Sequence, residues 1–198
     1  VSLSTTLATN AVVEGRGAPI CLLLAGYSPT QAIRAELNHL VRNGKCVLLD
    51  GGHDAAGNEA VPLDLDKARE IVRQWRNKVS AFGVSSIFSV RNPSHEIALR
   101  ELVHNETDLP VTCGHELASS LNAPRRAVTV AFNASLISYI TALIQAVHRI
   151  LAELGIAAPL MVVKGDGSLI SAKIALKRPV ETVISGPAAS VVGACHLG

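Results

Sequence analysis

Four short apolar runs constrain this chain most: Ile20 to Ala25, Cys46 to Leu49, Val84 to Val90, and Pro110 to Cys113. Each is separated from the next by a stretch with helical spacing. Strands that alternate with helices in this way are read as an α/β architecture with a largely parallel sheet, since parallel neighbours need a crossover between them. The intervening helices have recognisable ends. Pro29 to Asn43 stops at Gly44. Asp64 caps a helix whose Leu65, Ala68, Ile71, Val72, Trp75 and Val79 share one face, with Gly83 as its stop. Asn92-Pro93 opens another through about Val103, with Glu96 near its positive end. Residues 4–15 form a further helix, capped by Ser4 or Thr5, and Asp50 to Asn58 is a loop.

The second half changes character. Ala127 to Val147 carries no formal charge over 21 residues, but Thr129, Asn133, Ser135, Ser138, Thr141 and Gln145 make it a poor lipid-facing span. It is expected to be buried in protein. Leu136, Ile140, Leu143, Val147, Ile150 and Leu154 mark its inward face up to Gly155. A strand from Pro159 to Val163, a turn at Gly165-Asp166-Gly167, a continuation through Ser171, a short helix, a strand from Glu181 to Ile184 and a final helix complete the chain.

Composition excludes several function classes. Net charge is +2, from 18 basic and 16 acidic residues spread along the chain, too weak a field to draw nucleic acid or an anionic membrane. Aromatic residues are 3%, so no base-stacking platform is expected. Cys21, Cys46, Cys113 and Cys195 form no C-x-x-C pair and read as buried free thiols of a reducing cytoplasm. Apolar residues reach 48% with a mean hydropathy of +0.33, so part of the apolar surface is expected to meet further protein.

Three segments carry candidate ligand chemistry. At Ser185-Gly186-Pro187 a β-branched run breaks into a helix start, where Pro suits the first helical position and small residues let a ligand or another backbone approach. Lys164-Gly165-Asp166-Gly167 reads first as a hairpin turn, with a set of backbone N–H groups around a phosphate or carbonyl as the rival reading. Thr5, Thr6, Thr9 and Asn10 place polar side chains on an otherwise apolar helix. The dipeptides His95-Glu96 and His115-Glu116 lack a second His four residues on, so neither is a zincin motif; both read as structural, and no metal ligand is assigned. Ser185 does not satisfy G-x-S-x-G, and there is no Walker or dinucleotide loop.

Taken in order, several segments of this chain resemble the hydantoinase/oxoprolinase family. They are Thr5-Thr6-Leu7-Ala8-Thr9-Asn10-Ala11, Asn92-Pro93-Ser94-His95-Glu96, Thr129-Val130-Ala131-Phe132-Asn133-Ala134, Lys164 to Ser171, Arg178-Pro179-Val180-Glu181-Thr182 and Ser185-Gly186-Pro187-Ala188. Two departures are the Ser4-Thr5-Thr6 that replaces Gly-Thr-Thr and the Lys164-Gly165-Asp166-Gly167 that replaces Ser-Asn-Gly-Gly.

The resemblance implies an actin-like (ribonuclease H-like) ATPase fold, with residues 1–120 as an N-terminal α/β region and 121–198 as the start of the ATPase core. It also implies an ATP-dependent amidohydrolase that opens a cyclic amide of the hydantoin or oxoproline type. ATP phosphorylates the amide oxygen, water opens the ring, and magnesium holds the phosphates. Thr5, Thr6, Asn10, Gly165, Asp166, Gly167, Ser168, Ser185, Gly186 and Pro187 are the substrate- or nucleotide-binding candidates, with no catalytic residue assigned. The Asp-x-Gly-Gly-Thr phosphate loops of actin-like ATPases are absent from these 198 residues. The chain is therefore expected to be an internal piece of a longer enzyme, inactive and without cofactor alone. Expected partners are a small cyclic amide, the rest of the parent chain, and a second subunit or a homo-oligomer. The alternatives are a non-catalytic assembly or scaffolding piece, or the ATPase subunit of a ketone carboxylase-like complex.

Overall fold

The computed structural model describes residues 1–41 and 43–197; Arg42, inside the helix expected from Pro29 to Asn43, and Gly198 lie outside the described residues. The chain forms two compact units, one of residues 18–135 and one of residues 1–17 with 136–198. The grouping differs from a cut at residue 120 because β1 (Ser2–Leu3) pairs in parallel with β6 (Met161–Val163), tying the N-terminal segment to the C-terminal part.

The unit of residues 18–135 is built on a parallel sheet of β2 (Ile20–Ala25), β3 (Lys45–Leu49), β4 (Ala81–Ser86) and β5 (Val111–Cys113), in the order β3-β2-β4-β5. All of β2 is buried, as a central parallel strand covered on both faces must be. The alternation of side chains separates two cores. Cys21, Leu23, Val47, Leu49, Phe82 and Val84 pack against Ala68 and Val72 of α4 (Leu65–Trp75) and Leu99 and Val103 of α5 (Ser94–Glu106). Ile20, Leu22, Leu24 and Ala81 pack against α2 (Pro29–Arg34), α3 (Leu37–Leu40) and the first half of α7 (Ala123–Glu153). A four-residue helix, α6 (Gly114–Leu117), follows β5.

Two expected boundaries move. The helix expected from Pro29 divides at Glu36, whose φ of 51° is left-handed. The strand expected from Val84 begins instead at Ala81, and Gly83 lies inside it rather than stopping α4. A Cβ on Gly83 would come within 2.8 Å of Val130 Cγ1 and 2.9 Å of Leu22 Cδ1, so this glycine lets α7 lie close on the sheet.

The other unit holds the mixed sheet β1-β6-β7, with β7 (Leu169–Ser171) antiparallel to β6. Its core joins Ala8 and Ala11 of α1 (Leu7–Val13) to Leu136, Ile140 and Ile144 of α7, with Leu160, Val162 and Ala172 and Ala175 of α8 (Ala172–Lys177). The strand expected over Glu181 to Ile184 is a 3₁₀ turn, Pro179–Thr182, in which Pro179 fixes the first φ and Thr182 Oγ1 donates to Pro179 O at 2.7 Å. The last helix, α9 (Ser185–Leu197), starts two residues ahead of Pro187.

Helix α7 is long and apolar enough to cross a membrane by length and composition, and 56% of its most apolar window is buried in the protein. It ends in a Schellman motif: Ile156 N–H donates to Leu151 O, Gly155 N–H donates to Ala152 O, and Gly155 takes the left-handed φ of 65°. Its buried face runs through Leu136, Ile140, Ile144 and Leu151, with Val147 packed against the same core, while Leu143 is half-buried and Ile150 and Leu154 are exposed, so the expected face leaves the core beyond Val147. Cys195 is exposed rather than buried.

Candidate functional site

In the unit of residues 1–17 with 136–198, three sequence-selected segments meet at the start of α9. Ser185 is fully buried, and its Oγ donates to Thr5 O at 2.9 Å. Thr9 Oγ1 accepts from Ile184 N–H at 2.7 Å, and Thr5 Oγ1 caps Leu7 N–H at 3.0 Å. A Cβ on Gly186 would stand 3.0 Å from Thr6 Cγ2. Thr5, Thr6, Ser185 and Gly186 therefore form one small-residue junction, with the side chains of Asn10 and Pro187 exposed beside it.

The Lys164–Ser168 turn joins β6 to β7 and lies against the same segment: a Cβ on Gly165 would collide with Val183 O, and one on Gly167 would reach within 2.7 Å of Val192 Cγ2. Asp166 closes the turn, accepting from Ser168 Oγ at 2.6 Å, Ser168 N–H at 2.9 Å and Lys164 Nζ at 3.1 Å. The Ser168 bonds and then Lys164 hold its carboxyl well below the usual range, and Asp166 in turn raises Lys164. The N–H groups of Lys164, Gly165, Gly167 and Ser168 are all taken by the protein's own oxygens. The hairpin geometry thus uses the donors that a phosphate would need, and adds a carboxylate that would repel it.

The unit of residues 18–135 holds a buried polar cluster at the carboxyl ends of its strands. The chain passes from β2 to β3 on one side and returns to β4 on the other, so β2 and β4 flank a topological switch, the usual ligand position in open parallel sheets. Glu96, fully buried, accepts from Ser86 N–H (2.8 Å), His115 N–H (2.8 Å) and His115 Nδ1 (2.6 Å). Cys113 Sγ–H donates to Glu96 O at 3.7 Å, and burial pushes this thiol upward. Glu96, Cys113 and His115 each offer a ligand atom within 4.8 Å of the others. Three N–H donors and a protonated thiol make this a hydrogen-bonded carboxylate rather than a metal cage.

A second pair lies along the same edge. His95 Nδ1 accepts from Gly52 N–H at 2.9 Å, so its proton sits on Nε2, which donates to Glu59 at 2.7 Å. His53 packs on it with ring centroids 4.2 Å apart and the rings tilted by 43°, and burial, then the neighbouring His95, lower its pKa. Arg126, 1% exposed, donates to Ser120 O, Ser86 O and Ser89 Oγ, and its Nε has no partner. Tyr27 OH donates to Ala123 O at 2.7 Å and bonds Ser85 Oγ; burial raises its pKa.

Nothing local to the two His-Glu dipeptides signals that Glu96 meets His115. The available signal was their shared position after β4 and β5, adjacent parallel strands whose ends must lie side by side.

A sequence model of the hydantoinase/oxoprolinase N-terminal region matches residues 1–107, and one of hydantoinase/oxoprolinase matches residues 126–198. The chain belongs to the hydantoinase/oxoprolinase family. Among its relatives is the caprolactamase subunit alpha of Pseudomonas jessenii, 29% identical over 94% of this chain and 29% of the relative. The acetophenone carboxylase gamma subunit of Aromatoleum aromaticum is 24% identical over 100% of this chain and 30% of its own length. The chain thus spans under a third of these hydantoinase/oxoprolinase relatives. The crystal structure of the ATP-dependent caprolactamase superposes with a TM-score of 0.81 at 25% identity, over 93% of this chain and 29% of that one. A nucleotide-free acetone carboxylase structure superposes with 0.73 at 21% identity, over 100% and 31%. The α/β architecture with its parallel sheet is that of the hydantoinase-like, actin-like ATPase fold.

Proposed function

We propose that the protein to which this chain belongs is an ATP-dependent amidohydrolase that opens a cyclic amide of the hydantoin or oxoproline type. The observation that carries this reading is the similarity, over nearly the whole chain, to an ATP-dependent caprolactamase in both sequence and fold. Thr5, Thr6, Asn10, Gly165, Asp166, Gly167, Ser168, Ser185, Gly186 and Pro187 are the proposed ligand contacts, supported by the meeting of their segments at the start of α9. The Lys164–Ser168 turn does not fit nucleotide phosphates, since its N–H groups are engaged and Asp166 is anionic. In this reading ATP phosphates and magnesium are held by residues outside the 198, and the junction faces substrate carbonyl or the uncharged part of the nucleotide. The protein works in the cytoplasm with a second subunit or a further copy, binding neither nucleic acid nor membrane.

A second reading, an ATPase subunit of a ketone carboxylase-like complex, is favoured by the likeness to the acetophenone carboxylase gamma subunit. The full-length protein with its partner subunit, given magnesium and ATP, separates the two. Phosphate release that requires a lactam, hydantoin or oxoproline supports the amidohydrolase. Release that requires a ketone with bicarbonate supports the carboxylase. No phosphate release with either leaves only an assembly role.

A further inference from the structure

The chain enters α9 through Ile184, whose φ of 65° lies in the left-handed region. That region crowds the Cβ of any L-residue, and a β-branched side chain fits it worst. Glycine would adopt it freely. Burial does not compensate here, because Ile184 is 54% exposed. The conformation is therefore imposed by the residues on either side and by whatever holds the Ile184 backbone.

Both neighbours turn inward. Val183 packs on the core shared by α1, α7 and α8, and Ser185 is fully buried, with its Oγ donating to Thr5 O at 2.9 Å. The Ile184 N–H donates to Thr9 Oγ1 at 2.7 Å. Thr5, at the entry to α1, and Thr9, inside it, thus hold the start of α9 at two successive residues. Without the Thr9 oxygen, the left-handed form would leave an amide unpaired next to the buried Ser185. Relaxing Ile184 to a right-handed or extended φ would instead redirect the chain and carry Gly186 away from Thr6.

We propose that Thr9 is a positioning residue: its hydroxyl holds Ile184 left-handed and so fixes Ser185, Gly186 and Pro187 against Thr5 and Thr6 in the arrangement a ligand meets. Thr9 lies outside the proposed contacts and acts through Ile184. This rests on the reading of that junction as a contact for substrate or nucleotide.

The test uses the full-length protein with its partner subunit. Thr9→Val keeps the side-chain shape and loses the acceptor, whereas Thr9→Ser keeps the acceptor. Amide hydrogen exchange over residues 183–190 reads the backbone. Phosphate release from magnesium-ATP with oxoproline, hydantoin or caprolactam reads the ligand. Thr9→Val is expected to speed exchange about tenfold. It should also raise KM for ATP or the cyclic amide about tenfold, with kcat within about twofold of wild type. Thr9→Ser restores both readouts. In an Ile184→Gly background, where glycine takes the left-handed form unaided, Thr9→Val should change KM by less than about threefold. If Thr9→Val does not fold, Thr9→Ala, a better helix former, takes its place.

An equal effect of Thr9→Val in both backgrounds makes Thr9 a packing residue and overturns the proposal. Unchanged exchange in Thr9→Val overturns it too, and leaves the amidohydrolase reading standing. Faster exchange with unchanged KM overturns it from the other side, since the junction would then be held by Thr9 but meet no ligand. Phosphate release driven by none of the three amides overturns the amidohydrolase reading and this inference with it.

Discussion

Glu96 and His115 lie 19 residues apart in sequence, follow different strands, and share a 2.6 Å hydrogen bond in which the carboxylate is fully buried. The same carboxylate accepts the backbone N–H groups of Ser86 and His115, so it joins the ends of β4 and β5. A buried charge is tolerable only when satisfied in this way. Removing the acceptors strands three donors. Glu96→Ala is expected to lower stability by about 3–5 kcal/mol, as for other broken buried pairs. Glu96→Gln, which keeps the volume but opposes N–H to N–H, should cost about 1–3 kcal/mol. Urea denaturation measures both, and a Gln variant as stable as wild type would show that the charge is not holding the strands.

Ile144 is 2% exposed and packs with Leu136 and Ile140 in the core shared with α1 and α8. Ile144→Ala is expected to cost about 2–5 kcal/mol, and Leu143→Ala clearly less because Leu143 is only half-buried. Equal losses in the two melts would restore the register that the sequence suggests.

That register shows where reading the chain succeeded and why it stopped. The apolar runs of β2, β3 and β5 and the start of α4 capped by Asp64 are legible because each depends on local pattern, whereas α5 begins at Ser94, one residue beyond the Pro93 that the pattern suggests. The face of α7 is not legible, since spacings through Leu143 or through Ile144 fit its apolar residues about equally and only tertiary packing chooses. Strand β1, two residues long, is held by β6 and carries no local signature. Likewise Glu96 and His115 were visible singly, but their partnership is made by strand order.

Gly83 offers a check on that packing. Within β4 its missing side chain leaves room for Val130 and Leu22. Gly83→Ala inserts a methyl group into contacts of 2.8 and 2.9 Å, and is expected to destabilise by about 1–3 kcal/mol as overpacking does. Adding Val130→Ala should recover part of the loss in thermal melts. A Gly83→Ala protein as stable as wild type would mean that α7 stands further from the sheet.

His53 makes stability depend on pH. Burial and then the neighbouring His95 lower its pKa below the usual 6.5, so the unfolded chain takes up this proton more readily than the folded one. Stability contributed by the neutral ring is complete above about pH 6.5 and declines as pH falls toward the lowered value. Melting temperature should therefore drop between neutral and mildly acidic pH, and His53→Gln should flatten that slope. An identical slope in the variant would assign the pH dependence to other groups.

Gly186 decides whether the junction at the start of α9 serves a ligand or only packing. Its absent Cβ would stand 3.0 Å from Thr6 Cγ2, a close but local conflict that Thr6 relieves by a small shift. Gly186→Val adds a β-branched side chain at the point where the Thr5–Thr6 segment, the buried Ser185 and the Lys164–Ser168 turn converge. If substrate or nucleotide approaches there, turnover of the full-length enzyme should fall more than about tenfold, roughly 1.4 kcal/mol in the barrier, while the fold survives. Gly186→Val combined with Thr6→Ser, which removes the opposing methyl group, should recover thermal stability but not turnover. Recovery of both together would make the junction a packing device, and the ligand contacts would then have to be sought elsewhere in the protein.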